Sequence, residues 1–82
     1  MKEDLFDQAK LLMLSQNYKE AREILEKLYK ENPSDPDIIY HLALLMDILN
    51  ENEEAINLYK KLLEIIPEHK EAKERLQKLM ED

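Results

Sequence analysis

The chain repeats itself at a fixed spacing. Pro33 and Pro67 are 34 residues apart, and the same offset relates Ala9 to Ala43. Further pairs at this offset are Leu11 with Leu45, Ala21 with Ala55, and Leu28 with Leu62. Repetition at a period of this length is typical of helical-hairpin solenoids, in which each unit buries its apolar face against a neighbour. The repeat therefore predicts an architecture, whereas the identity of a ligand is not encoded in it.

Length and charge exclude several classes of function. The 82 residues are enough for one domain, and the net charge is −7 with 38% charged residues. Nucleic-acid binding depends on clustered Lys and Arg, so we expect no nucleic-acid partner. The longest apolar run near the start, 11–14, is too short for a signal-peptide core or a membrane span, so we expect no membrane partner. The absence of Cys fits the reducing cytoplasm, which is the expected location.

Three Pro residues and the absence of Gly divide the chain into five predicted helices. Asn tolerates the left-handed conformation that ends many helices, so it can replace Gly in the hairpin turns. Asp35 is predicted to cap a helix that begins at Pro36, since Pro is favoured at the first helical position. The predicted breaks are 15–17, 32–36, 50–52 and 67–69.

The third and fifth predicted helices differ in their apolar faces. Positions 38–49 leave few polar residues, which predicts a central helix that is covered on more than one side. The last helix has a single apolar stripe and is charged elsewhere, which is typical of a terminal cap with one face in water. The predicted stripe consists of Ala72, Leu76, Leu79 and Met80.

The two units resemble the tetratricopeptide repeat family, whose pattern combines small, aromatic and proline residues at fixed spacing. The first unit matches through Leu5, Ala9, Leu12, the segment 17–21, Leu25, Leu28 and Pro33. The second matches through Ile39, Leu42, Ala43, Met46, the segment 51–55, Tyr59, Leu62 and Pro67. Leu5 and Ile39 stand where the family usually has an early Trp. Ala9, Ala43, Gln16 and Asn50 stand where Gly is common.

The resemblance implies an all-α, right-handed solenoid of five antiparallel helices that forms one domain, 1–82. We expect repeat one at 2–35, repeat two at 36–69 and a capping helix at 70–82. Ala9, Ala21, Ala43 and Ala55 are expected at the helix crossings, where small side chains allow close approach.

The resemblance further implies a concave groove, formed by the first helix of each repeat, that receives a peptide from a partner protein. The proposed peptide-binding residues are Phe6, Lys10, Met13, Tyr40, His41, Leu44, Arg75 and Lys78. Further residues expected on this face are Glu3, Asp7, Asp37, Asp47, Glu71 and Glu74. Aromatic side chains and Met concentrate binding energy at interfaces, and Lys10, Arg75 or Lys78 is expected to meet an acidic group. The alternative is that Phe6 and Tyr40 merely pack against each other.

One ligand known for the family is not expected here. The clamp that grips the terminal carboxylate of heat-shock chaperone tails needs Lys and Asn at defined groove positions, and this chain offers Phe6, Lys10 and His41 there. We also expect no enzyme, no cofactor and no metal. Asp37 and His41 lie one helical turn apart, but a third and fourth ligand are not evident.

Two further interpretations stay open. Two repeats are fewer than a solenoid generally needs, and apolar residues crowd the first helix, so a homodimer or a hairpin exchange through that helix is possible. These residues are Leu5, Leu11, Leu12 and Leu14. The chain is alternatively a minimal engineered repeat scaffold that has no evolved ligand, since tidy capping and the absence of Gly are compatible with either origin.

Overall fold

The computed structural model describes residues 2–81, with side chains from Asp4 to Glu81, and consists of five helices. They are α1 (Lys2–Leu14), α2 (Tyr18–Glu31), α3 (Pro36–Ile48), α4 (Asn52–Ile65) and α5 (Lys70–Met80). The predicted all-α fold is confirmed, and the predicted breaks agree to within one residue, since α4 begins at Asn52 and Ile66 lies outside it. Two predictions lie outside the described side chains: Glu3 as a groove residue and Asp82 as the end of the cap.

The hairpin turns depend on one left-handed residue each. Gln16 has φ 65° and Asn50 has φ 62°, at positions 34 apart. Asn50 confirms that Asn replaces Gly here, but the first turn uses Gln16, and the adjacent Asn17 has φ −88°. A left-handed residue that is not Gly costs about 1–2 kcal/mol, and Gln lacks the short side chain that lowers this cost for Asn.

The helices after the longer breaks begin with side-chain caps. The Oδ1 of Asp35 accepts hydrogen bonds from the backbone N–H groups of Asp37 at 3.0 Å and Ile38 at 3.4 Å, with Pro36 in the first turn, as predicted. At the position 34 residues later, Nδ1 of His69 accepts from the N–H of Ala72 at 3.2 Å. Sequence reasoning did not assign this cap, because His is not among the favoured N-cap residues.

Consecutive helices pack against each other, and α3 lies at the centre. Six residues of α3 are buried, which confirms its predicted central place: Ile38, Ile39, Leu42, Ala43, Leu45 and Met46. The four Ala residues predicted at the helix crossings are fully buried. By contrast, α1 and α3 contact each other only lightly, which leaves a groove between them.

The last helix packs one face on α4, as expected for a cap. Ala72 is fully buried, and Leu76 and Leu79 pack partly buried against the core. Met80 does not belong to this face: it is 57% exposed in the final turn of α5, so its assignment to the buried stripe was wrong. The buried stripe therefore ends with Leu79.

Candidate functional site

An apolar groove lies between the C-terminal halves of α1 and α3. Its cavity volume is about 360 Å³. It is lined by Lys10, Met13, Leu14, His41, Leu44 and Ile48. Four of these six residues are among the predicted groove residues. We call all six lining residues the apolar groove.

Leu14 and Ile48 were missed as groove residues, although they occupy equivalent positions 34 apart. Leu14 is 82% exposed and Ile48 is 44% exposed, so the end of the apolar groove presents aliphatic carbon to water. The 34-residue offset between them could have predicted that they lie together, since equivalent residues of two parallel first helices lie side by side in a repeat stack. Single exposed apolar residues are common, but a concave set of them is typical of an interaction site.

A row of rings crosses the same face beside the apolar groove. The rings of Phe6 and His41 lie 5.0 Å apart between centroids at 88°, and those of His41 and Tyr40 lie 5.4 Å apart at 84°. The ring of His69 continues the row, 5.0 Å from Tyr40. We call these four residues the aromatic row. Phe6 and Tyr40 are thus joined through His41, and edge-to-face pairs of this kind are favourable arrangements of rings.

His41 is fixed by the backbone of its own helix. Its Nδ1 lies 2.8 Å from the carbonyl oxygen of Asp37, one turn earlier. A carbonyl oxygen can only accept, so Nδ1 is assigned as the donor. The contact is with the main chain of Asp37 and not with its carboxylate, so it does not pair Asp37 and His41 as metal ligands.

Lys10, at the edge of the apolar groove, is already engaged within the chain. Its Nζ lies 3.5 Å from Oδ1 of Asp7 and 4.6 Å from the centroid of the Phe6 ring. Such contacts are a surface ion pair and a cation–π interaction, both individually weak. The ammonium of Lys10 therefore has partners of its own before any ligand binds.

Arg75 is held more firmly. Its Nε and Nη2 donate to the two carboxylate oxygens of Asp47 at 2.7 and 2.9 Å, and the Tyr59 hydroxyl donates to Oδ2 of Asp47 at 3.2 Å. The side chain of Asp47 is only 9% exposed. This bidentate geometry links α5 to α3 and α4, so Arg75 is not the unpaired groove cation that the sequence suggested.

The pKa values around this cluster are shifted in a consistent direction. Burial, followed by the charge of Asp47 and the hydrogen bond to it, raises the pKa of the Tyr59 phenol well above its usual value. The hydrogen bond to Asp47 likewise raises the pKa of the Arg75 guanidinium, against an opposing effect of burial. Burial and then the charge of Glu71 raise the pKa of Tyr40. All three groups therefore keep their protons at neutral pH.

The cluster of Asp47, Tyr59 and Arg75 has no equivalent one repeat earlier. Positions 34 residues before Asp47, Tyr59 and Arg75 are Met13, Leu25 and His41. An ion pair therefore closes the contact between α3 and α5, whereas the equivalent contact between α1 and α3 is apolar and open. The contact between α1 and α3 therefore keeps an open groove where the equivalent contact between α3 and α5 has an ion pair.

Lys78 does not reach the apolar groove. It lies on the exposed surface of α5, where it lines a separate depression of about 440 Å³ with Glu74, Arg75, Gln77 and Glu81. This depression belongs to a single helix and is lined by polar side chains. The structure thus brings Phe6, Lys10, Met13, Tyr40, His41 and Leu44 together and leaves Lys78 apart.

Among the described side chains, Asp4 to Glu81, no three His, Asp or Glu residues are grouped so that they could hold a metal ion. No helix in the described part of the chain is long and apolar enough to cross a membrane. The residues of the apolar groove and the aromatic row offer apolar contact, aromatic contact and a few charges.

Comparison with known proteins identifies the repeat. A family model described as tetratricopeptide repeat matches residues 12–80, from the last turn of α1 to the end of α5. No curated protein matches the sequence. Repeats of this kind generally mediate protein–protein interaction and generally act as non-catalytic scaffolds. Because the match covers most of its length, the chain belongs to the tetratricopeptide repeat family.

Proposed function

We propose that this protein is a non-catalytic interaction module that binds a peptide segment of a partner protein in the apolar groove. The observation that supports it best is the cavity of about 360 Å³ in which Leu14 is 82% exposed. Covering such a surface with aliphatic side chains of a ligand would remove apolar area from water. The buried area would stabilise the complex by about 25 cal/mol per Å². The proposal includes a cytoplasmic location and division into repeats at 2–35 and 36–69 with a cap at 70–82.

The groove geometry favours a short ligand segment. A volume of about 360 Å³ has room for a few aliphatic side chains, and Met13 at its wall is adaptable in shape. Leu44 and Ile48 provide the opposite wall on α3. Recognition would therefore depend on a few anchors of the ligand rather than on a large flat interface.

The test compares two charge substitutions on the same helix. Leu14→Glu introduces a carboxylate in the apolar groove, whereas Leu11→Glu introduces it on α1 outside the groove, where Leu11 is 65% exposed. Both positions are exposed, so both variants should fold, which circular dichroism checks. Peptides selected from a random display library against the unmodified protein should bind Leu14→Glu about tenfold more weakly.

The same peptides should bind Leu11→Glu as they bind the unmodified protein. Phe6→Ala and Tyr40→Ala then test whether the aromatic row belongs to the same site. Selected peptides that bind Leu14→Glu with unchanged affinity would contradict the proposal.

A second candidate function is self-association through α1. Leu11 and Leu14 are the two most exposed large apolar side chains among the described residues, and an isologous contact between two copies would cover both. Sedimentation equilibrium over a concentration series separates the two functions. A dimer that Leu11→Glu dissociates favours self-association, while a monomer at high concentration favours a free groove.

A further inference from the structure

The aromatic row is accompanied by carboxylates. Asp7 is exposed one residue after Phe6, and Oε1 of Glu71 lies 3.6 Å from Nδ1 of His69. Because His69 accepts a hydrogen bond at that same Nδ1 from Ala72, the capping ring is unprotonated there, and Glu71 has no cationic partner in it. The charge of Glu71 also contributes to raising the pKa of Tyr40, which places its negative potential at the row.

The cations on this face are, by contrast, already paired. Lys10 has Asp7 and the Phe6 ring, and Arg75 has both oxygens of Asp47. An acidic ligand would have to separate these pairs, whereas a basic ligand can approach Glu71 without separating either of them.

Lys10 shows how a cation sits on this surface. Its Nζ lies 4.6 Å from the centroid of the Phe6 ring and 3.5 Å from Asp7, so one end of the aromatic row already holds an ammonium group between a ring and a carboxylate. Ring faces attract cations through their quadrupole, and Arg makes such contacts more often than Lys. Among the described side chains, such a cation lies at the Phe6 end of the row.

We propose that the peptide bound in the apolar groove is basic, with an Arg or Lys side chain that lies on the aromatic row while neighbouring aliphatic side chains fill the groove. His41 joins the two parts, since it belongs to both the row and the groove lining. This inference rests on the proposed function and adds the charge of the partner. It reverses the sequence-based expectation that Lys10, Arg75 or Lys78 meets an acidic group.

The charge of the whole chain acts in the same direction. A net charge of −7 on 82 residues attracts basic segments and repels acidic ones over distances up to the Debye length, about 8–10 Å at physiological salt. Binding of a basic ligand should therefore weaken as salt is added, whereas binding through aliphatic contacts alone should not.

The experiment uses three synthetic peptides that are blocked at both ends: Leu-Leu-Ser-Arg-Arg, Leu-Leu-Ser-Gln-Gln and Leu-Leu-Ser-Glu-Glu. Each is titrated into the ¹⁵N-labelled protein and followed by chemical shifts of the amides of Met13, Leu44 and Ile48. The Arg peptide should bind about threefold to tenfold more tightly than the Gln peptide, the Glu peptide most weakly.

Lys10→Met provides the sharpest discrimination. Removing the internal cation frees the Phe6 ring and Asp7, so the Arg peptide should bind a few-fold more tightly to this variant. If the partner were acidic, the same substitution would weaken binding of the Glu peptide. Tyr40→Leu should reduce the preference for Arg, and Tyr40→Phe, the matched control, should retain it because the ring remains.

The outcomes separate the two proposals. Equal shifts at the groove amides with all three peptides would overturn the basic partner and leave the peptide-binding function standing. Preference for the Glu peptide would do the same. Both proposals fail if no peptide changes the chemical shifts of the groove amides and if library peptides bind Leu14→Glu as tightly as the unmodified protein.

Discussion

Tyr59 occupies a position that in the first repeat holds Leu25. Both residues are fully buried, but Tyr59 has an aromatic ring and a hydroxyl group where Leu25 has an aliphatic side chain. That hydroxyl donates to Asp47, which in turn binds Arg75. One substitution between equivalent positions thus accompanies a polar link that the first repeat lacks.

We predict that Tyr59 makes the protein sensitive to alkaline pH. Its pKa in the folded state lies above the usual value of 10.0, because burial and Asp47 disfavour the tyrosinate. The contribution of the Tyr59 phenol to stability is therefore fully present below about pH 10. It is lost as the pH rises from the pKa of the unfolded state through that of the folded state, and the free energy of unfolding then falls by up to about 1.4 kcal/mol per pH unit. Urea unfolding at a series of pH values measures this slope.

In Tyr59→Phe the free energy of unfolding should fall less steeply with pH above about pH 10, because this variant lacks the phenol proton that is released on unfolding. Lys residues titrate in the same range, but they are common to both proteins, so the difference isolates Tyr59. Tyr18→Phe, which removes a partly buried phenol outside the Asp47 cluster, is the matched control. An identical slope in Tyr59→Phe and the unmodified protein would contradict the prediction.

Side-chain partners were less predictable than side-chain positions. The resemblance to the repeat family implied that Asp47 and Arg75 lie on the concave face, but it could not indicate that they bind each other, since they are 28 residues apart and belong to different helices. Lys10 was likewise expected to be available to a ligand. Whether a charged residue is paired depends on distances of a few ångströms between helices, and a pattern along the sequence does not contain them.

At the scale of the helix, the N-terminal ends of α3 and α5 occupy equivalent positions in the repeat but have chemically different caps. Asp35 caps α3 with a carboxylate, whereas His69 caps α5 with an imidazole nitrogen. Nδ1 can accept this hydrogen bond only when it carries no proton, and the contact with Glu71 at 3.6 Å is an ion pair only when the ring is protonated. The two roles exclude each other, and the cap is the one compatible with a neutral ring.

We predict that the cap at His69 contributes measurably to stability. His69→Ala removes the acceptor for the N–H of Ala72 and should lower the free energy of unfolding by about 1 kcal/mol. His69→Asn is the matched variant: it retains an acceptor without adding a second negative charge beside Glu71, and should be at least as stable as the unmodified protein. Urea unfolding followed by circular dichroism compares the three, and equal stability of the Ala and Asn variants would argue against the cap.

The limits of the helices were readable because breaks have strong local signals. Pro33, Pro36 and Pro67 lie at helix boundaries or outside helices, and Asp35 is a favoured cap. Met80 was misplaced for a different reason. Its spacing fits the buried stripe of α5, but burial in the last turn depends on how far the neighbouring helix extends, which is a property of the packed molecule.

At the scale of the whole molecule, the stack has two unlike ends. At one end α5 covers the second repeat through Ala72, Leu76 and Leu79 and through the ion pair with Asp47. At the other end, α1 has Leu11 and Leu14 in water. The end with the polar link is closed and the end with the apolar groove is open, so the proposed binding site and the polar link lie at opposite ends of the stack.

This division leads to the last prediction, that Arg75 stabilises the closed end. Arg75→Ala leaves the carboxylate of Asp47, 9% exposed, with Tyr59 as its remaining partner, and should cost about 1–3 kcal/mol. Arg75→Lys keeps the charge but not the two-pronged geometry and should lose less. Hydrogen exchange should accelerate most at the amides of α5, because a stack of repeats opens from its ends.

Lys78→Ala, on the exposed surface of the same helix, is the control and should change stability by less than about 0.5 kcal/mol. Exchange in α5 that stays unchanged in Arg75→Ala would show that apolar packing of Ala72, Leu76 and Leu79 holds the cap without the ion pair. Faster exchange in α5, with α1 unaffected, would show that the two ends of the stack open independently, as expected if each repeat contacts only its neighbours.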